Sequence, residues 1–117
     1  MALTRVDQNM TSMIPTTVSI NGSNQFAIDF AKNINFKIAP TGAWTIVPTV
    51  GSEQVGQTGT IIIENGGTTT PGALPSQFKT PNGDNIVFQT DNGDVSILSY
   101  LVVSTTIVLV NYVGNFS

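Results

Sequence analysis

Asn-Gly steps recur four times along this chain, at 21–22, 65–66, 82–83 and 92–93. Asn-Gly is the dipeptide that best tolerates the positive φ angles of a tight hairpin turn, so these steps read as corners between strands. Between the corners the apolar pattern has period two. Phe26, Ile28 and Phe30 oppose Gln25 and Asp29, and Ile34, Phe36 and Ile38 oppose Asn33, Asn35 and Lys37. Successive strand side chains point to opposite faces, so this spacing is that of half-buried strands. Further strands are expected over 16–20, 43–47, 58–64, 86–88, 95–103 and 106–112. No segment carries a convincing helical period. The pattern predicts an all-β domain, an antiparallel β-sandwich or small barrel.

Residues 1–15 stand apart. They hold all three methionines, show no clean alternation and end at Pro15. They are read as an extended N-terminal arm, with a single β-domain over 16–117. Residues 65–85 are the least regular part of that domain. Their Gly and Pro density marks a long loop, which Phe78 anchors to the core, and loops of this length more often serve function than structure. The expected core is Phe26, Ile28, Ile34, Phe36, Trp44, Ile46, Ile61, Ile63, Val87, Leu98, Tyr100 and Leu109.

Chemistry is scarce. The chain has no histidine and no cysteine, which removes the commonest general base, the best thiol nucleophile and the usual zinc or copper ligands. Charged residues make up 9% of the chain, against about 25% in an ordinary soluble domain. The four cations, Arg5, Lys32, Lys37 and Lys79, are scattered and the net charge is −3, so nothing supplies the clustered positive charge that nucleic acid needs. The N-terminus lacks the apolar run of a signal peptide, and no stretch reaches the roughly 18 apolar residues of a membrane helix. A soluble protein made in a cytoplasm is expected.

Asp91-Asn92-Gly93-Asp94 starts like a calcium loop but lacks the alternating acids and distal Glu of an EF-hand, so it is read as a turn. Glu53, Glu64, Asp84 and Asp94 are possible acid–base partners, yet nothing in the sequence brings two of them to one face. Trp44, Tyr100 and Tyr112 are either a stacking platform for a host glycan or part of the core. No catalytic, cofactor-binding or metal-ligating residue is assigned.

Three segments carry a resemblance. They are Gly56-Gln57-Thr58-Gly59-Thr60-Ile61-Ile62-Ile63, then Phe78-Lys79-Thr80-Pro81-Asn82-Gly83, then Asp94 to Ser104 with the terminal run Val108 to Phe116. Together they resemble a small β-module of tailed-bacteriophage virion proteins, found at tail-fibre ends and in short phage proteins. In that module a G-x-x-G-T strand leads through a Gly/Pro loop to a D-(V/I)-(I/L/F)-S-(Y/F) strand. The module's usual tryptophan-rich second strand is replaced here by Thr68 to Gln77. The resemblance implies a virion location and a homotrimer, and it brings no catalytic residues.

The reading is a non-enzymatic virion structural protein without cofactor. A capsid decoration (cement) protein on the outer head surface, bound to the major capsid protein or other virion proteins, comes first. A tail-fibre or tail-tip module is the alternative, and a glycan-binding module for host attachment is a third. The absence of a heptad or long repeat favours decoration over a fibre shaft. Met10 and Met13 in the arm, whose flexible side chains adapt to irregular grooves, are candidate interface residues. Ile61, Ile62 and Ile63 join them, because three consecutive isoleucines imply a strand covered on both faces or on one face by a partner.

Overall fold

A computed structural model describes residues 13–116. Its strands are β1 (Thr16–Thr17), β2 (Gln25–Ile28), β3 (Asn35–Ile38), β4 (Ala43–Pro48), β5 (Thr58–Glu64), β6 (Thr70–Pro71), β7 (Phe78–Lys79), β8 (Val95–Ser104) and β9 (Ile107–Phe116). The only helical element among the described residues is a 3-10 turn at Pro81–Gly83. The all-β class follows from the alternation read in the sequence. In β2 and β3, for instance, Phe26, Ile28, Phe36 and Ile38 are buried while their neighbours are not.

The strands form a six-stranded sheet of order β1-β3-β5-β8-β9-β7 and a three-stranded sheet of order β2-β4-β6. Through β6 the chain therefore alternates between sheets, odd strands in one and even strands in the other. A strand's neighbour is then the strand two further along, and it runs in the same direction. Among the described residues, five of the seven pairings are parallel; only β5–β8 and β8–β9 are antiparallel. This corrects the antiparallel expectation. The cause is the connections: β1 to β6 are joined by crossings between sheets, and the Asn-Gly steps lie in those crossings or beyond them.

The steps differ in what they do. Asn21 Oδ1 accepts from Ser23 N and Gln25 N at 2.9 and 3.0 Å, turning the chain into β2. Both residues at 82–83 have positive φ, 59° and 69°, and at 92–93 only Gly93 does. Asn65 is buried. Its amide donates to the carbonyls of Gln89 and Asp91, tying the end of β5 to the segment that leads into β8. None of the four makes a two-residue hairpin. That role falls to Thr105-Thr106, where a bulge between Val102 and Ser104 accommodates a turn without positive φ.

One core cluster draws its buried residues from both sheets. Parallel register stacks like on like, with Phe36 beside Ile61, Ile38 beside Ile63, and Phe26 beside Ile46. Two aromatic chains run through it. Phe26, Trp44, Phe88 and Tyr112 meet edge to face in succession, and Phe30 and Phe36 meet Tyr100. At the far end, the Tyr100 hydroxyl donates to Ile34 O at 2.6 Å and accepts from Gln57 Nε2 at 3.0 Å. Gly59 is required there, since a Cβ would lie 1.9 Å from Ile34 O.

Three expected core residues sit elsewhere. Val87 is 86% exposed because the segment alternates with the opposite parity: Ile86 and Phe88 turn inward and Val87 points out. Leu109 is exposed on the outer side of β9, and Ile34 is half-buried. The core instead takes Phe30, Ile38, Val102, Val108 and Val110, and Phe78 anchors the long loop by pairing with Val108.

Candidate functional site

The outer face of the larger sheet is built from β5, β8 and β9, and neither β8 nor β9 carries a charged side chain. The register arranges its side chains in rows across the strands. One row is Lys37, Ile62, Ile97 and Val113; the next is Asn35, Thr60, Ser99 and Asn111; the third is Thr58, Leu101 and Leu109. Two apolar rows thus flank a row of amides and hydroxyls. Within the polar row, Asn35 Oδ1 accepts from Thr60 N and Thr60 Oγ1 at 3.2 and 3.0 Å. Charge is confined to the margins. Lys37 and Glu64 pair at 3.6 Å on one side, and Lys79 lies beside Leu109 on the other.

A groove of about 420 Å³ deepens this face where Thr80 and Pro81 rise beside Ser99, Leu101, Leu109 and Asn111. A second, larger cleft of about 610 Å³ opens within the long loop, between residues 71–76 and 83–88, with Phe78 and Phe88 among its lining and Lys79 and Asp84 as its charged groups. Thr80 Oγ1 donates to Asp84 O at 2.5 Å, closing the 3-10 turn at its rim.

The five interface candidates separate. Ile61 and Ile63 are withdrawn into the core, which takes them out of reach of any partner. Ile62 stands on the outer face between Lys37 and Ile97. Met13 is exposed, its carbonyl held by Asn35 Nδ2 at 3.0 Å, as that of Ile14 is by Asn33 Nδ2. Met10 and the arm before residue 13 lie outside the described residues.

Catalytic geometry is thin. Among the described residues no three of His, Cys, Asp and Glu gather as metal ligands would. Glu64 is engaged by Lys37, and Asp94 Oδ2 accepts from Asp91 N at 3.0 Å inside the 91–94 turn. Trp44 and Tyr100 are buried and Tyr112 is half-buried, its hydroxyl accepting from Gln89 N, so the three rings offer no glycan platform. Burial pushes the Tyr100 phenol above its ordinary range, and the Gln57 hydrogen bond offsets part of that rise.

Sequence reasoning placed Leu109 inside and so overlooked half of the apolar row it forms with Leu101. The parity of β9 contained the signal. Leu109 shares its face with Asn111 and Val113, whereas Val108, Val110 and Tyr112 share a face that has no amide.

No protein family, no curated protein and no solved structure matches the chain.

Proposed function

We propose that this chain is a non-enzymatic structural protein of a bacteriophage virion, a self-associating capsid decoration protein on the outer head surface. The observation that carries the self-association is the uncharged outer face of β8 and β9, with its apolar rows either side of a polar one. Identical copies brought side by side on a shell must not repel one another, and this face has no charge to repel with. The virion setting and the homotrimer come from the resemblance to phage β-modules, and the partner that follows is the major capsid protein. The arm, through Met10 and Met13, is the part proposed to reach it. The two sheets are taken as the layers of a sandwich, since β1 and β7 end the larger sheet without joining.

A second reading, a tail-fibre or tail-tip module, gains from the parallel winding of β1 to β6, a geometry able to extend along an axis. Copy number separates the two. Quantitative mass spectrometry of purified particles is expected to find this chain in numbers comparable with the major capsid protein. Numbers typical of a tail appendage would favour the second reading, and absence from the particle would end both.

A further inference from the structure

We infer that the β5–β8–β9 outer face is a two-fold contact surface between copies of this chain, each copy laying its rows on the matching rows of one neighbour, so that it pairs copies and a trimer closes through a different surface. The inference rests on the self-association reading above and adds the surface that performs it.

Charge selects the class of occupant first. Neither ten-residue strand at the centre of the face has a charged side chain, and its margins add only Lys37, already paired with Glu64, and Lys79 at the groove, too little positive charge for a nucleic acid, an anionic bilayer or an acidic peptide. A second copy, in contrast, brings an equally uncharged centre, so no like charges are opposed there.

The row order then narrows the occupant further. Leu101 and Leu109 stand directly opposite each other, as do Ile97 and Val113, and Ser99 and Asn111 lie between these pairs. Leu101, Leu109 and Val113 all expose a third or more of their surface. A purely apolar partner would satisfy the outer rows but strand the exposed Ser99 hydroxyl and Asn111 amide without hydrogen bonds, at a cost that grows with burial. An identical face has the remedy built in. Its own Ser99 and Asn111 provide both donors and acceptors at the same height, while its leucines and valines meet their counterparts. Apolar–polar–apolar reads the same from either end, so the match holds whether the neighbouring strands run parallel or antiparallel. The groove beneath Thr80 and Pro81 gives the contact relief into which a neighbour's side chain fits.

The full chain is compared with Leu109→Lys and Leu101→Lys by light scattering and sedimentation over a wide concentration range. Val50→Lys and Val87→Lys, at exposed apolar sites off this face, are the controls. A lysine in an apolar row is expected to weaken association about tenfold or more, with the controls unchanged. Because the chain has no cysteine, Ser99→Cys gives a unique thiol, and a short bismaleimide should link it to its equivalent in a neighbouring copy. Ser76→Cys, on the long loop, should stay unlinked. The cross-linking result does not depend on the lysine variants folding. A wild-type oligomer that ignores both lysines and leaves Ser99→Cys unlinked overturns this surface but spares self-association. A wild-type chain that is monomeric at every concentration overturns both.

Discussion

At the scale of single residues, the tightest constraint is the approach of Ile34 O to Gly59 under the Tyr100 hydroxyl. A methyl at Gly59 displaces both the carbonyl and the phenol, so Gly59→Ala should cost about 1–3 kcal/mol by overpacking. Denaturant unfolding measures this, and an unchanged midpoint would show that the strand pair gives way freely. Tyr100→Phe leaves Ile34 O and one contact of Gln57 unpaired, for a loss of about 1–3 kcal/mol. The same residue sets an alkaline limit. Its phenol is raised in the folded state, so the unfolded chain deprotonates first; stability is intact below about pH 10 and declines as pH climbs past it. Melting curves taken across that range should show a smaller alkaline decline in Tyr100→Phe than in the wild type. Thr69 Oγ1 is buried without a hydrogen-bond partner among the described residues, so Thr69→Val should be neutral or raise stability by about 1 kcal/mol. A clear drop in melting temperature would reveal a partner for that hydroxyl. Such residue-level knots are poorly legible in sequence, because Gly59 and Ile34 are joined by a sheet register that no local pattern encodes.

Individual strands were much easier to read. The faces of β2, β3 and β4 follow directly from alternation, and Phe36→Ala should cost about 3–5 kcal/mol as a buried aromatic in that pattern. Where alternation was too short, reading failed. Ile86-Val87-Phe88 has strand composition but is not a strand, since its neighbour β9 pairs instead with β8 and β7. Gln89 fastens this segment to β9 through Asn115, accepting from its backbone N–H and donating to its side-chain oxygen, both at 2.6 Å. The expected consequence is a sharp contrast between neighbours. Phe88→Ala should lose about 3–5 kcal/mol, whereas Val87→Lys should stay within about 0.5 kcal/mol of wild type. Equal losses at both positions would mean that Val87 is packed as closely as Phe88. On the candidate site, Ile62 was legible as one of three isoleucines, but its orientation was not, because a run of identical residues has no parity.

Over the whole molecule, the winding was hidden by unequal spacing. Thr16 lies beside Phe36, twenty residues on, and Asn35 beside Thr60, twenty-five on. Ala43 lies beside Thr70, twenty-seven on. A repeat whose connections vary this much leaves no fixed period to detect. If the protein serves by packing, replacing Glu53, Glu64, Asp84 and Asp94 together by their amides should leave its attachment to bare particles nearly intact. The pair between Lys37 and Glu64 is exposed and adds little to the fold. Loss of attachment in that variant, measured by particle occupancy, would put a charged contact at the centre of the function. The winding also has defined ends. Beyond β5 the larger sheet reverses sense at β8, so a further parallel coil inserted after β6 would find its place beside β5 already taken. On the other side, Ile20 bridges the free edge of β2 at Phe26, so the smaller sheet is closed there as well. The coil is thus bounded where β8 takes the edge of β5 and where Ile20 takes the edge of β2, like a spring with a stop at each end.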